Sequence, residues 1–147
     1  MSMKLNIKHD PNISETEITV NYGFLDEELE EILAFLSLAD NRMTGSLNGE
    51  THFVRLSDIL YFESVDRRCF FYTANKAFET KIKMYELEAK LAHTPFSRIS
   101  KSVIVNLKMV KSISNEKYSR LCATLINGEK VIVSRQYLNC VREKLGV

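Results

Sequence analysis

Apolar residues follow different rhythms in different parts of the chain. Lys4 to His9 alternates, with Leu5 and Ile7 on one side, and Glu17 to Tyr22 alternates, with Ile18, Val20 and Tyr22 on one side. Period-two alternation predicts two half-buried strands, with Asp10-Pro11-Asn12 as the turn signal between them. From Leu25 the period lengthens: Leu25, Leu29, Ile32, Leu33 and Leu36 recur at helical spacing. Asp26, Glu27 and Glu28 fill the first turn, where unsatisfied N–H groups favour acids. A strand-strand-helix piece of this size cannot hold a core alone, so residues 1–41 are expected to pack on the rest of the chain, on a second copy or on a partner.

After Asn41 the pattern becomes a succession of short strands. Met43 to Leu47 and Thr51 to Val54 flank Asn48-Gly49, a pair suited to a type I′ hairpin because both turn residues accept positive φ. Ser57-Asp58-Ile59 reads as a single helical turn before a strand over Leu60 to Ser64. A second hairpin has Val65-Asp66-Arg67-Arg68 as its loop, with Cys69 to Thr73 returning and Ala77 to Ile82 continuing. Met84, Leu87 and Leu91 share one helical face, and Thr94-Pro95 ends that helix, since the residue before proline is pushed out of the α region. Val103 to Asn106, Val110 to Ser114, and Leu121 to Leu125 with Val131 to Val133 across Asn127-Gly128 complete the sheet. A last helix follows Ser134, a good N-cap, with Leu138, Val141 and Leu145 on one face and Arg135, Asn139 and Arg142 on the other. The expected fold is mostly β (α+β): a compact antiparallel β domain over residues 42–147 with short helices, preceded by the strand-strand-helix segment.

Composition agrees with a globular chain. Of 147 residues, 45% are apolar and 27% charged, enough for one domain with a real core. The N-terminus lacks the apolar region of a signal peptide, and no apolar run approaches a membrane span, so a cytoplasmic location is expected. Cys69, Cys122 and Cys140 are too scattered for a disulfide framework or a zinc site and read as core thiols. No nucleophile, base and orienter suggest themselves, and no glycine-rich phosphate loop. Neither an enzyme nor a metal, cofactor or small-molecule substrate is therefore expected.

Charge sharpens the picture. Residues 1–50 set three cations, Lys4, Lys8 and Arg42, against ten carboxylates, whereas from Phe96 onward ten Lys or Arg face only Glu116, Glu129 and Glu143. Such asymmetry points to a C-terminal part that binds a polyanion. The cations gather in three places: Arg67-Arg68 in a hairpin, Arg98 to Lys101 before a strand, and Arg135 at a helix start. Arginine's planar fork bonds a phosphate or the guanine edge bidentately, and helix-terminal N–H groups beside Ser134 suit a phosphate oxygen. Each place also has a plainer reading: a solvated hairpin tip for Arg67-Arg68, an ion pair for Arg98, an N-cap for Ser134 and a solvent face for Arg135.

Three blocks in order carry more than the single loops. Ile59-Leu60-Tyr61-Phe62-Glu63-Ser64, then Phe96-Ser97-Arg98-Ile99-Ser100-Lys101-Ser102-Val103-Ile104-Val105-Asn106, then Asn127-Gly128-Glu129-Lys130-Val131-Ile132-Val133-Ser134-Arg135-Gln136-Tyr137-Leu138 resemble the LytTR family of bacterial DNA-binding domains. The resemblance spans roughly residues 43–147. It implies a fold that inserts loop residues into DNA grooves in place of a recognition helix, regulating transcription at paired direct repeats in promoters, often as a dimer. Carried over by position, the DNA-contacting residues are Arg67 and Arg68, Ser100 and Lys101, and Arg135 and Gln136. Arg98 and Ser134 fall in supporting or phosphate-contacting places. Ser100 and Lys101 stand where many members have His followed by Arg or Asn, and Gln136 stands where a second Arg is common.

The first forty residues show no receiver-domain pattern, so the chain resembles the short stand-alone type of this family. The expected partners are double-stranded DNA, a second copy of the chain, and a membrane protein encoded nearby. The competing expectation is a protein-protein interaction module whose basic surface serves solubility.

Overall fold

A computed structural model describes residues 3–39 and 41–147. Helix α1 (Glu27–Ala39) begins where the helical spacing begins, and the Asp26 carboxylate caps it by accepting the Leu29 N–H at 2.9 Å. It packs on the next element, burying Leu29 and Ala34. Strands β1 (Arg42–Leu47) and β2 (Glu50–Arg55) form the expected hairpin, with φ of 52° at Asn48 and 78° at Gly49. A 3-10 turn over Leu56–Asp58 leads to β3 (Tyr61–Val65), β4 (Arg68–Tyr72) and β5 (Ala77–Thr80). Then come helix α2 (Met84–Lys90), β6 (Phe96–Arg98), β7 (Val103–Asn106), β8 (Val110–Glu116), β9 (Arg120–Leu125), β10 (Lys130–Val133) and helix α3 (Leu138–Leu145).

The strands make two antiparallel sheets where the sequence reading has one. A seven-stranded sheet runs β2-β1-β5-β4-β3-β7-β6, and a three-stranded sheet runs β10-β9-β8. Alternation along the central strands explains why two cores result. Phe62, Phe71 and Ile104 point to one face and join Met43, Phe78 and Leu87 in a core that includes Ala34 of α1 and Met84 of α2. Val105, on the opposite face, joins Leu60, Ile99, Leu121, Leu125, Val133 and Val141 in a second core under the small sheet and α3. Each fully buried large side chain contributes roughly 1.5–3 kcal/mol. The rings of Phe62, Phe71, Phe78 and Phe96 meet at centroid distances of 5.1 to 5.7 Å. Gly45 lets them do so: a Cβ there would lie 2.5 Å from Phe71 Cζ and 2.7 Å from Phe78 Cβ.

Two polar arrangements tie these layers. Asn106, buried, ends β7 and uses both ends of its amide: Nδ2 donates to the Ile59 carbonyl at 3.0 Å, and Oδ1 accepts the Lys108 N–H at 3.1 Å. Lys144 of α3 donates to the carbonyls of Ala92, Thr94 and Phe96 and so fastens that helix beside β6.

The structure corrects the sequence reading in several places. Among residues 3–24 there is no strand. The turn at Asp10 forms, with Ile13 N–H bonded to the Asp10 carbonyl at 3.2 Å and Asn12 N–H to Asp10 Oδ1 at 3.0 Å, yet no ladder joins Lys4–His9 to Glu17–Tyr22. Leu5 and Ile7 stay 80% and 83% exposed. Alternation says which side of a strand is apolar, but a ladder needs a partner, and an isolated two-stranded hairpin is marginal in water. Phe96-Ser97-Arg98, which overlaps the expected loop at Arg98 and has no strand in the sequence reading, is an edge strand with Phe96 and Ser97 buried. The last helix starts at Leu138, after a 3-10 turn over Arg135–Tyr137, and Ser134 does not cap it. Cys140 is exposed, unlike buried Cys69 and Cys122.

Candidate nucleic-acid interface

The hairpin between β3 and β4 closes on the pair Val65 and Arg68. Its two turn residues, Asp66 and Arg67, have φ of 50° and 65°, the geometry of a primed two-residue turn made without glycine. Arg67 therefore sits at the tip, exposed. Arg68 is a strand residue, not a loop residue. Its guanidinium lies over the Phe70 ring and bonds both carboxylate oxygens of Glu79 on β5, Nε at 3.0 Å and Nη2 at 2.8 Å. The Glu79 carboxyl is held below the usual carboxylate range chiefly by that hydrogen bond.

The segment between β6 and β7 is fixed almost wholly through its backbone. Ile99 is buried in the second core, and its N–H and that of Ser100 both bond the Val103 carbonyl. Ser64 N–H on β3 bonds the Ser102 carbonyl at 2.8 Å, so this loop lies against the Asp66-Arg67 hairpin. Arg98 finishes the frame. Its guanidinium donates to the Ser100 carbonyl at 3.1 Å, to the Lys101 carbonyl, and to the Glu88 carboxylate on α2. The ion-pair reading of Arg98 thus holds, and its fork is engaged in shaping the loop. The Lys101 side chain projects from that loop, exposed and without a partner among the described residues.

Ser134 joins the third block to the second. Its N–H and its hydroxyl both donate to the Ile99 carbonyl, at 2.9 and 3.1 Å. The hydroxyl taken in sequence for an N-cap thus bridges 35 positions to the neighbouring loop. Arg135 and Gln136 follow directly, both exposed, and Arg135 Nε donates to the Tyr118 carbonyl at 3.4 Å.

That bond leads to a fourth segment that sequence reasoning missed. Strands β8 and β9 are joined by Lys117–Ser119, closing on Glu116 opposite Arg120, and Tyr118 adopts φ of 63° with its side chain 76% exposed. Ser100, Tyr118, Arg120, Ile132, Ser134 and Arg135 line one open cleft of about 390 Å³. The available signal was Lys117 and Arg120 flanking a tyrosine between two strands. No pattern of periodicity marks such a turn as adjacent to loops distant in sequence.

The structure therefore brings together Arg67, the Ser100-Lys101 loop and Arg135-Gln136, and adds Lys117 and Arg120. Within these four segments the cations face only Asp66 and Glu116. The far end of the domain differs in character: Tyr61 stacks on Tyr72 at 4.6 Å and donates to Glu129 Oε2 at 2.9 Å, while Tyr72 donates to Glu63. Burial, reinforced by these carboxylates, raises both phenols above their ordinary range. Burial alone pushes the Cys69 thiol up to about 12, leaving it protonated and inert at neutral pH. Among the described residues no cluster of His, Cys, Asp or Glu is arranged to hold a metal ion, and no helix is long and apolar enough to cross a membrane.

Removal of Arg98 offers a test of the frame. Arg98→Ala is expected to lower DNA affinity about tenfold by loosening the Ser100-Lys101 loop, since ordering a loop on binding costs on the order of 1 kcal/mol or more. The slope of log affinity against log salt should stay unchanged, because Glu88 already matches this charge. A slope reduced by about one unit in a salt titration would place Arg98 on a phosphate instead.

A β scaffold presenting cationic loops at one end, with α2 and α3 separated by five strands, has the charge and shape of a nucleic-acid-binding domain. Comparison with known proteins supports DNA binding. A family model described as the LytTr DNA-binding domain matches residues 49–146, two thirds of the chain, and the chain belongs to this LytTR family. It is a DNA-binding protein, not an enzyme. The structure is similar to that of a LytTr DNA-binding domain from Bacillus cereus, with a TM-score of 0.69 and 27% identity, covering 73% of this chain and 98% of that one. Over 147 residues the chain is 29% identical to a protein of Staphylococcus aureus strain NCTC 8325 / PS 47 described as an uncharacterized HTH-type transcriptional regulator. It is 28% identical to a protein of strain MRSA252 with the same description, and in both cases 99% of each chain is covered.

Proposed function

We propose that the chain is a sequence-specific transcriptional regulator that reads duplex DNA with Arg67, the Ser100-Lys101 loop and Arg135-Gln136 inserted into grooves. One observation carries this reading. Three segments far apart in sequence are bound to one another by Ser64 to Ser102 and by Ser134 to Ile99, so their outermost side chains form one cationic face. Loops on a rigid sheet suit such a task. Lys117 and Arg120 supply phosphate contacts beside it. Arg68, whose exposed pair with Glu79 is weak in water, exchanges that carboxylate for a phosphate when DNA approaches. Arg98 and Ser134 support the readers from within.

The relatives described as transcriptional regulators agree with the regulatory part of this reading. The regulator acts in the cytoplasm as a homodimer on paired direct repeats. Residues 1–41 link copies or receive a signal, and a membrane protein is the proposed source of that signal. Fluorescence anisotropy with random-sequence duplexes tests the DNA reading first. Affinity should fall with salt at a log-log slope near ~0.9 per phosphate neutralised. Selection from random DNA should then return a repeated half-site. No salt-sensitive binding at low ionic strength would favour the protein-interaction module instead.

A further inference from the structure

We propose that residues 3–24 are an exchange arm through which two copies of this chain pair, the first alternating stretch of each copy, Lys4–His9, lying antiparallel to the second, Glu17–Tyr22, of the other. The inference deepens the homodimer of the preceding section and rests on that reading. The arm has everything a strand pair needs except a partner. Neither stretch belongs to a helix or strand, no ladder bonds are made between them, and the turn at Asp10 separates them. Seven large apolar side chains in this segment are more than half exposed. They include Leu5 and Ile7 on one side of the first stretch, and Ile18 and Tyr22 on one side of the second.

Charge chooses the pairing. The first stretch, Lys4–His9, carries Lys4 and Lys8 and no acid, while the second, Glu17–Tyr22, carries Glu17 and no Lys or Arg. Like stretches would repel and unlike ones attract. In the antiparallel register that sets Ile7 opposite Ile18, Leu5 falls opposite Val20 and Lys8 opposite Glu17. Folding back within one chain would satisfy the ladder but leave the apolar side bare, which is why an isolated hairpin is marginal. Reciprocal exchange closes as a two-fold pair. It buries Met3, Leu5, Ile7, Ile18, Val20 and Tyr22 of each copy at ~100 Å² apiece, near the ~600 Å² per partner at the lower end of stable interfaces.

Sedimentation of the full chain without DNA tests this, so its outcome is separate from that of the DNA reading. At roughly 100 µM the chain should sediment as a dimer. Ile7→Lys/Ile18→Lys should be monomeric while keeping its circular dichroism and its salt-sensitive binding to duplex DNA. Lys8→Glu alone and Glu17→Lys alone should each weaken the dimer about tenfold. Mixing these two variants should restore it, because only pairing between chains sets the carboxylate introduced at position 8 of one variant against the ammonium introduced at position 17 of the other. A monomeric natural sequence, a dimer that survives Ile7→Lys/Ile18→Lys, or a mixture no tighter than its components each overturns the exchange arm. A dimer that fails to bind DNA would instead leave the arm standing and remove the regulator reading.

Discussion

Replacing Lys101 and Arg135 together by alanine should lower the affinity for duplex DNA about a hundredfold at moderate salt and reduce the salt slope by close to two units. Lys101 projects from a loop whose backbone is already held by Arg98 and Ser64, so little ordering opposes its contact with DNA. Arg135 is steered by its bond to the Tyr118 carbonyl and sits one residue from Ser134, which is bonded to the Lys101 loop at Ile99. Each cation is thus presented on a fixed mount, and each charge-assisted contact is worth about 1.4 kcal/mol or more, a factor of ten. Lys108 makes a fair control: it is exposed but follows Asn106, at the end of β7 away from the loop. Lys108→Ala should leave affinity nearly unchanged, as read by anisotropy on the same duplex. An equal loss from Lys108→Ala would mean that overall charge, not this face, drives binding.

The second large effect concerns stability. Asn106→Leu should destabilise the fold by about 3 kcal/mol, because it strands a buried carbonyl at Ile59 and a backbone N–H at Lys108. Leucine keeps the volume, so no cavity contributes. The measurement is a urea titration in which the midpoint falls while the m-value holds. A loss below about 1 kcal/mol would show that water reaches both groups. The asparagine that closes the second sequence block is in this light a structural residue: it fixes where β7 leaves the sheet, at the opposite end of that short strand from the Ser100-Lys101 loop it helps to hold.

Much of this architecture was legible in sequence where a residue's own chemistry decided the geometry. Asn48-Gly49 announced its hairpin because both residues accept positive φ. Asp66-Arg67 adopts the same turn without glycine, so the sequence does not mark how tight it is, and Arg68 falls in the strand, not the loop. The helical spacing from Leu25 marked α1 to within two residues. Alternation in residues 4–22 described strands that a single chain does not form, since pattern specifies a face and not its partner. Partners were equally hidden elsewhere. Nothing in Val110 to Val133 says that these strands leave the main sheet and build a second one, and nothing near Ser134 says that its hydroxyl reaches Ile99. The candidate site followed the same rule. Its cations were visible one loop at a time, while the fourth turn, with Lys117, Tyr118 and Arg120, became part of it only through pairing across β8 and β9.

The way the loops are tied has a consequence for descent as well as for binding. Ile99, Ser102 and Val103 contribute backbone carbonyls to the frame, and Arg98 and Ser134 reach those or adjacent carbonyls. The Lys101 and Gln136 side chains enter no part of it among the described residues. Mutation can therefore alter the outermost side chains while the mount that carries them stays folded. Lineages sharing this scaffold are free to exchange these exposed residues one at a time without passing through an unstable intermediate.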